Sequence, residues 1–568
     1  MPPASVIDYG WARQLPEYLI MDDTTATGTQ AFASGLAGTS VDHRVHDHDR
    51  ETHLTASGAV RVPARMRDGT RYERPILLLS NREPYEHLAV PDEGGVTVRN
   101  PYGGLVTALD PALKATHGVW VAWGSGSADR ATADAYGRVA VPPPPADPLY
   151  TLRRVWLDEA DVEGYYLGFA NSVLWPLCHL LIHHLRFRDE DWARYQSVNQ
   201  RFADAALEEA TRLKAETGQE PIAWIQDYHL ALVADSLRAA RPALFIHQFL
   251  HIPFPPPEIF RLLPYGVCQA LLRGLLGNDL LEFHTERYAV NFVDCAAQLL
   301  PGAVGDREAL TVRYADRTTA LGVFPISIDV NRFEAMAAAP EAAARAAELR
   351  QRYAWGDRQL GVSVDRIDYT KGILERLSAL EVLWASAPEL RDRFTMLIVT
   401  APSRTELRPY RVLEQEIDAR VAAINARFGT PTWTPIVVLS EAMPATELAA
   451  IYRAADLCLI SSLQDGMNLV AKEFVACQLD ERGVLVLSRF TGAAEEIEGV
   501  VLINPFNVDG VAAAIRAALA MPMAERARRM GAMRRRLRQA TVFDWLDGVM
   551  SRVASMAGAP EAGNSVTG

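Results

Sequence analysis

The strongest chemical signal in the chain is a nine-residue run in its C-terminal half. It reads DGMNLVAKE over residues 465–473 and follows an apolar segment. Asp465 precedes a helix start, where unpaired backbone N–H groups can hold sugar hydroxyls and phosphate oxygens. Glu473 lies just over two turns along that helix, so its carboxylate can accept hydrogen bonds from a ribose diol. A helix cap followed by a surface glutamate is the alternative, which the length of the run disfavours.

Two cations follow another apolar segment, in the run DRIDYTKG. Arg366 and Lys371 lie five residues apart across a loop and a helix start, so both can converge on one anion such as a nucleotide diphosphate. A solvated pair of charges is the alternative. Arg404 ends the run APSR after the next apolar segment, and it is a second, weaker candidate for binding phosphate.

An acid and a histidine follow two neighbouring apolar segments of the N-terminal half. Asp227 belongs to the run QDYH, and His251 begins the run HIPFP. Asp227 could orient an acceptor hydroxyl or accept its proton, and His251 could form a hydrogen bond with the sugar being transferred. Either residue could instead be a structural polar group, and the sequence leaves that choice open.

Four weaker candidates also lie in the N-terminal half. Arg82, in the run SNREPY, could grip a phosphate with its guanidinium fork. Gly104 ends a glycine pair before a helical pattern, where the backbone can approach a diphosphate. Tyr166 and Trp175 could form aromatic walls for a sugar ring. A surface arginine, a tight turn and ordinary core aromatics are the respective alternatives.

The elements that would position these residues are short aliphatic strands alternating with helices. The predicted strands form two series, 76–79, 119–123, 222–225, 244–249, 280–283 and 321–324, then 360–364, 396–399, 436–439, 457–460, 484–487 and 501–503. This alternation predicts an α/β fold with two doubly wound, Rossmann-like sheets in tandem and a cleft between them. Ligands of such sheets bind beyond the carboxyl ends of the strands, which is where the candidate residues lie.

The same patterns predict four parts in the chain, with a seam near residues 325–345. Residues 1–70 show no sustained period and predict a poorly ordered extension. Residues 71–330 and residues 331–538 would form the two sheet domains. Residues 539–568 would form a C-terminal helix, which could cross back to the first domain, and a tail.

Composition narrows the classes of function. The 568 residues carry a formal net charge of −13, which gives no support to nucleic-acid binding. The five cysteines are far apart and odd in number, so we expect reduced thiols and neither a disulfide framework nor a zinc site. The sequence shows neither a leader segment nor a run suited to crossing a membrane, and we expect a cytoplasmic protein.

In combination these motifs resemble the trehalose-6-phosphate synthase family of retaining glucosyltransferases. The resemblance covers about residues 76–550 and rests on SNRE, GGL, DYH, HIPFP, DRIDYTKG and DGMNLVAKE, in this order. It implies the glycosyltransferase B fold, with an acceptor-binding N-terminal domain and a donor-binding C-terminal domain. It also implies transfer of glucose from a nucleotide-glucose, with UDP-glucose as the expected donor, to glucose 6-phosphate.

The resemblance also assigns the site residues. The donor would contact Gly104, His251, Arg366, Lys371, Asp465, Gly466, Met467, Asn468, Leu469 and Glu473. The acceptor would contact Arg82, Tyr166, Trp175, Asp227 and Arg404. The catalytic residues would be Asp227, His251, Arg366, Lys371 and Asp465. No cofactor or metal is expected, because the two cations would do what a magnesium ion does in the other major glycosyltransferase fold.

The chain departs from the family pattern in two places, and alternatives stay open. Gln464 stands where the family commonly has an arginine, which could alter the preference for the donor base. The extension, residues 1–70, could add an oligomer contact or a regulatory arm. The runs REPY and WVAW also resemble glucosylglycerol-phosphate synthase, which uses ADP-glucose and glycerol 3-phosphate. A pseudoglycosyltransferase joining cyclitols and an inactive sugar-phosphate sensor are more remote alternatives.

Overall fold

The computed structural model describes residues 74–90, 95–99, 104–144, 146–353 and 355–558. The predicted extension, residues 1–70, lies outside the described residues, as does the chain beyond residue 558. The described part contains two separate, largely parallel sheets wrapped by helices, which confirms the predicted fold class. None of its helices is both long and apolar enough to cross a membrane.

A ten-stranded sheet organises the N-terminal half. Its strands, together with a separate hairpin made by β2 and β3, are β1 (Ile76–Arg82), β2 (Glu86–Ala89), β3 (Val96–Arg99), β4 (Val119–Trp123), β5 (Arg138–Val141), β6 (Tyr150–Val155), β7 (Ile222–Gln226), β8 (Phe245–Phe249), β9 (Leu280–Phe283), β10 (Val304–Asp306), β11 (Thr311–Tyr314) and β12 (Arg317–Val323). The order across the sheet is β10-β11-β12-β9-β8-β7-β1-β4-β6-β5. The strands from β12 to β6 run parallel, and antiparallel strands close both edges.

Helices cover both faces of this sheet. They are α1 (Gly104–Thr116), α2 (Asp129–Thr132), α3 (Glu159–Asp161), α4 (Trp175–Cys178), α5 (Asp189–Thr217), α6 (Val233–Ala240), α7 (Pro257–Phe260), α8 (Tyr265–Leu276) and α9 (Glu286–Leu299). A π-helical segment, Val162–Leu174, joins α3 to α4, and 3-10 turns cover Ile182–His184 and Tyr228–Leu230. We call β1–β12 with α1–α9 the first lobe.

A six-stranded parallel sheet organises the second lobe. Its strands are β13 (Gln359–Arg366), β14 (Phe394–Ala401), β15 (Ile436–Ser440), β16 (Leu457–Ile460), β17 (Val484–Ser488) and β18 (Val501–Ile503), in the order β15-β14-β13-β16-β17-β18. The helices are α10 (Val330–Ala338), α11 (Pro340–Arg352), α12 (Ile373–Ser386), α13 (Arg408–Phe428), α14 (Ala445–Ala454), α15 (Leu469–Cys477), α16 (Ala493–Glu496), α17 (Val508–Leu519), α18 (Met523–Arg538) and α19 (Val542–Ala557). Turns of 3-10 helix cover Tyr369–Lys371 and Pro388–Leu390. We call β13–β18 with α10–α18 the second lobe.

The central strands are continuous aliphatic runs because helices cover them on both sides. The side chains of β7, β8 and β16 are buried along their whole length, as expected for parallel strands between two helical layers. The carboxyl ends of these strands lead into short loops and helix starts. Polar residues from many parts of the sequence therefore lie at the edge of each sheet where the parallel strands end.

The last helix, α19, packs against the first lobe. Thr541 and Asp544 form a capping box at its start. The Trp545 indole donates a hydrogen bond to the Phe324 carbonyl at 3.2 Å, and its ring centre lies 5.4 Å from that of Phe249. This helix therefore follows the second lobe in the sequence but contacts the first sheet.

The twelve strands predicted from aliphatic runs are all present. The aliphatic runs do not predict six others, namely β2, β3, β5, β6, β10 and β11. Each of these six described strands belongs to an antiparallel pair, and β6, which contains two arginines, also pairs in parallel with β4.

Candidate active site

The candidate residues lie at the carboxyl ends of parallel strands in both lobes. Arg82 ends β1, while Asp227 and His251 follow β7 and β8. Arg366 ends β13, and Asp465 lies in the loop between β16 and α15. The parallel sheets therefore bring these separate motifs to the same edges, as the position of each motif predicted.

Lys371 and Asp465 form a largely buried ion pair. The distance from Nζ to Oδ2 is 2.7 Å, and the Asn468 amide also donates a hydrogen bond to Oδ2, at 3.1 Å. Burial alone would raise the pKa of Asp465, but Lys371 and Asn468 outweigh it and lower that pKa to about 2. The carboxylate is therefore ionised and fixed, which suits it to orienting ligand hydroxyls and makes it a weak nucleophile.

Helix α15 begins at Leu469, directly beside this ion pair. Asn468 adopts the left-handed conformation, with φ 83°, and its side chain caps the Ala471 N–H at 3.1 Å. The two lobes touch in this loop, because a Cβ on Gly466 would fall 2.1 Å from the carbonyl oxygen of His251. Glycine is therefore the residue that allows this close approach. Met467 is buried behind the loop.

A cavity of about 860 Å³ lies beside the start of α15 and is lined by residues of both lobes. Arg82 contributes from the first lobe, and Arg366, Leu469 and Glu473 contribute from the second. Glu473 accepts a hydrogen bond from the Tyr452 hydroxyl at 3.0 Å, and burial raises its pKa to about 7. The volume is in the range of small-molecule sites.

The two predicted donor cations have different partners in this structure. Arg366 lines the cavity, has a side chain 43% exposed and donates a hydrogen bond to the Ser403 hydroxyl at 3.3 Å. Lys371 binds Asp465 and is not among the cavity-lining residues. Their convergence on one diphosphate stays a prediction, and it requires Lys371 to reach the ligand while it holds Asp465.

Asp368 is a site residue that the sequence analysis misses. Its buried carboxylate accepts a hydrogen bond from Arg404 at 3.1 Å and lies 4.0 Å from Arg366 Nη2. Its other oxygen accepts hydrogen bonds from the Thr370 N–H at 3.0 Å and the Trp175 indole at 3.4 Å. Burial opposes ionisation, but Arg404 and Arg366 outweigh it and lower the pKa of Asp368. Asp368 therefore contacts the guanidinium groups of Arg404 and Arg366 and the indole of Trp175.

Arg82 of the first lobe and Arg404 of the second create a positive field around the Tyr166 hydroxyl. Arg82 donates a hydrogen bond to the Tyr166 hydroxyl at 3.3 Å, and the Tyr166 ring lies 5.8 Å from Trp123 and 5.9 Å from His229. Burial alone would raise the pKa of Tyr166, but the guanidinium groups of Arg82 and Arg404 lower it below its ordinary value. A site that favours a negative charge on a phenol also favours a phosphate group.

Arg404 is nearly buried and stacks on Trp175. Its side chain is 7% exposed, and Cζ lies 4.2 Å from the ring centre of Trp175. Its Nε has no hydrogen-bond partner among the described residues, and the same holds for Asn81 Nδ2, Gln226 Nε2 and His229 Nδ1. Buried nitrogen atoms without partners are costly, so these four atoms are available to donate to or accept from a polar ligand.

Asp227 and His251 are coupled through the backbone. Asp227 adopts a left-handed φ of 66° and accepts a hydrogen bond from the His251 N–H at 3.2 Å. Burial raises the pKa of Asp227 to about 7, although backbone N–H donors partly offset it. His251 Nε2 lies 2.9 Å from Gln226 Oε1, and burial lowers the pKa of His251 to about 3. The imidazole is therefore neutral, and the carboxyl group titrates near neutral pH.

Two further sequence predictions concern Gly104 and Gln464. Helix α1 begins at Gly104, so the glycine pair precedes a helix as predicted. Gln464 is buried and donates a hydrogen bond to the Tyr288 hydroxyl of the first lobe at 3.2 Å. It is not among the residues that line the 860 Å³ cavity, and its effect on the choice of donor base stays a prediction.

Comparison with known proteins supports the fold with two sheet domains. The chain matches the profile of glycosyltransferase family 20 over residues 75–555. It is 38% identical to a trehalose-6-phosphate synthase of Mycolicibacterium gilvum, over 86% of this chain and 97% of that protein. The E. coli trehalose-6-phosphate structure bound with UDP-2-fluoro glucose has a TM-score of 0.73 and 32% identity, covering 84% of this chain and 98% of that one.

A second solved structure is a complex with glucose-6-phosphate. The UDP-forming α,α-trehalose-phosphate synthase of Burkholderia xenovorans in complex with glucose-6-phosphate has a TM-score of 0.71 and 31% identity. The alignment covers 84% of this chain and 99% of that one. The similarity therefore extends over both lobes.

Proposed function

Because the chain belongs to glycosyltransferase family 20, we propose that it transfers glucose from UDP-glucose to glucose 6-phosphate and releases UDP and α,α-trehalose 6-phosphate. One observation carries this proposal. Arg82 from the first lobe and Arg366 and Glu473 from the second line the same cavity. The cavity thus lies between the arginine that ends β1 in the first lobe and the start of α15 in the second. The structures bound with UDP-2-fluoro glucose and with glucose-6-phosphate support the choice of donor and acceptor.

On the donor side, the charged side chains that bind the nucleotide would come from the second lobe, and the first lobe would form the opposite side of the site. The diphosphate would bind Arg366, Lys371 and the N–H groups that begin α15, with Gly104 approaching from the first lobe. Glu473 would accept hydrogen bonds from the ribose diol. The base would lie against apolar cavity residues, namely Val399, Ala442, Met443 and Leu448. Asp465 and His251 would orient the transferred glucose.

On the acceptor side, the phosphate would bind Arg82 and Arg404. Tyr166 and Trp175 would form the walls of the sugar pocket. The fixed, stacked guanidinium of Arg404 suits bidentate binding of a phosphate. Asp227 would face the hydroxyl that attacks.

The proposed reaction retains the anomeric configuration. Asp465 is locked by Lys371 and ionises far below neutral pH, so we assign it to orientation rather than covalent attack. The bond from glucose C1 to the diphosphate oxygen breaks, and the acceptor hydroxyl forms the new bond on the same face. Its proton passes to the departing phosphate oxygen, while Arg366 and Lys371 stabilise the charge that develops on UDP.

A substrate panel tests the proposal. Nucleotide release is measured for UDP-, GDP- and ADP-glucose, each combined with glucose 6-phosphate or glycerol 3-phosphate. We expect the highest kcat/KM for UDP-glucose with glucose 6-phosphate. Preference for ADP-glucose and glycerol 3-phosphate would establish the glucosylglycerol-phosphate alternative. Donor binding without release under every combination would indicate a sugar-phosphate sensor.

The activity should depend on pH through Asp227. Burial raises its pKa to about 7 in the free protein, so acidification below that value protonates the carboxylate. If the ionised form is required, kcat/KM for glucose 6-phosphate should fall about tenfold per pH unit below the pKa. Asp227→Asn should be slower and should lose this acidic limb.

Glu473→Gln is the matched control, because burial also raises the pKa of Glu473 to about 7. This variant should keep the acidic limb in kcat/KM for the acceptor. A limb that persists in Asp227→Asn and disappears in Glu473→Gln would contradict the assignment.

A further inference from the structure

A hydrogen bond between the lobes lies directly behind the Asp465 loop. Tyr288, in the first turn of α9, is 2% exposed, and its hydroxyl lies 3.2 Å from the carbonyl oxygen of Asp465. The side-chain amide of Gln464 lies 3.2 Å from the same hydroxyl. One side chain of the first lobe therefore meets two consecutive residues of the loop that holds the donor-sugar carboxylate.

The direction of these hydrogen bonds is fixed by the groups involved. The Gln464 Nε2 atom can only donate, so the Tyr288 oxygen accepts from it. The Tyr288 hydrogen is then available for the carbonyl of Asp465, which can only accept. Burial raises the pKa of Tyr288 above its ordinary value, so the hydroxyl stays protonated. Gln464 thus orients the hydroxyl of Tyr288 toward the Asp465 peptide.

The backbone N–H and the backbone carbonyl of Asp465 both form hydrogen bonds. Its N–H donates to the Phe490 carbonyl at 3.0 Å, and its carbonyl also accepts from the Gly492 N–H at 3.2 Å. These two bonds lie within the second lobe, whereas the bond from Tyr288 forms only when the lobes are together. The adjoining residue, Gly466, is the one that touches the His251 carbonyl. The loop therefore contacts the first lobe at two successive residues.

We propose that Tyr288 is a positioning residue that fixes the geometry of the Asp465 loop from across the contact between the lobes, with Gln464 orienting its hydroxyl. The inference rests on the proposed function, since it assumes that Asp465 orients the donor sugar. Without the bond from Tyr288, the Asp465 carbonyl would keep one of its two donors, the Gly492 N–H. The peptide that leads from the carboxylate would then be held less firmly for transfer.

Packing alone does not require these two polar groups. A phenylalanine would fill the position of the Tyr288 ring, and an aliphatic side chain would fill that of Gln464. A buried hydroxyl and a buried amide are tolerated because they satisfy each other and the backbone. The pair also gives Gln464 a structural role, since its amide orients the Tyr288 hydroxyl.

The test compares Tyr288→Phe, Gln464→Leu and the double variant. Tyr288→Phe should lower kcat about 3- to 10-fold, the range for one net hydrogen bond, with less than about a twofold change in KM for glucose 6-phosphate. Amide hydrogen exchange in residues 464–470, measured with saturating UDP, should accelerate. Because both residues act through one hydroxyl, the double variant should be no slower than Tyr288→Phe.

Glu495→Gln is the matched control. Glu495 of the second lobe pairs with Arg287 of α9 at 2.9 Å, and both side chains are more than 40% exposed. The substitution removes this ion pair between the lobes but leaves Arg287 in place over the Tyr288 ring. Exposed ion pairs contribute little, so this variant should change kcat and exchange less than about twofold. An equal effect in Glu495→Gln would indicate general loosening of the interface and overturn the proposal.

Two further outcomes would also overturn it. One is unchanged kcat and unchanged exchange in Tyr288→Phe, and the other is fully additive losses in the double variant. Failure of the proposed function is distinguishable, because it would appear as no transfer by the wild-type protein on any substrate pair. The exchange measurement tests the hydrogen bond in that case too.

Discussion

Replacing Arg366 or Lys371 by alanine should lower kcat for glucosyl transfer by roughly 10²-fold or more, the scale for removing one preorganised donor from developing charge. Arg366 lines the cavity, and Lys371 holds Asp465 at 2.7 Å. The Lys371 variant should lose more, because it also leaves the Asp465 carboxylate without its cation. Nucleotide release with saturating UDP-glucose and glucose 6-phosphate provides the measurement.

Arg420→Ala is the control for charge removal, since this arginine of α13 pairs with Glu381 of α12 at 2.9 Å and is 46% exposed. It should keep near-normal kcat and a normal unfolding temperature. Near-normal kcat in both Arg366→Ala and Lys371→Ala would refute their assignment to the leaving diphosphate.

Replacing Arg404 by alanine should raise KM for glucose 6-phosphate by about 10- to 100-fold, because hydrogen bonds to a charged group contribute about 1.5–3 kcal/mol. Arg404 stacks on Trp175 and binds Asp368, so its guanidinium is already oriented for a phosphate. Arg404→Lys should recover only part of the loss, since an ammonium group lacks the fork. Initial rates against glucose 6-phosphate give both values.

Loss of Arg404 also leaves Asp368 buried with fewer partners, so the unfolding temperature must be measured alongside KM. Arg82→Ala provides the second variant, because Arg82 is exposed and its loss leaves no buried charge unpaired. It should raise the same KM by about tenfold. An unchanged KM in both variants would exclude the proposed acceptor site.

The sequence predicts the elements that are buried between helices better than those at the sheet edges. Strands such as β7 and β16 are aliphatic throughout because both faces are covered. The aliphatic pattern does not predict strand β6, because this strand contains Arg153 and Arg154. Arg154 is fully buried, with Glu83 at 2.8 Å and Asp129 at 2.8 Å, and pairing across the fold is not visible in a local pattern.

The residues of the candidate site also fall into those that the sequence predicts and those that it does not. Residues that follow strands in recognisable motifs, such as Arg366 and Asp465, are found from the sequence. Asp368 lies in the same motif as Arg366, yet its importance comes from Arg404, which is 36 residues away in the chain. The bond from Tyr288 to Asp465 spans 177 residues. Interactions of this kind depend on how the two lobes meet, and no periodic signal encodes that.

The most direct test of the account is the identity of the product. Purified protein is incubated with UDP-glucose labelled with carbon-13 at glucose C1 and with glucose 6-phosphate, and the product is analysed by nuclear magnetic resonance and mass spectrometry. The account predicts a 1,1-linked disaccharide phosphate in which the labelled carbon keeps the α configuration, formed together with UDP. A β-linked product, or UDP release with only free glucose, would contradict it.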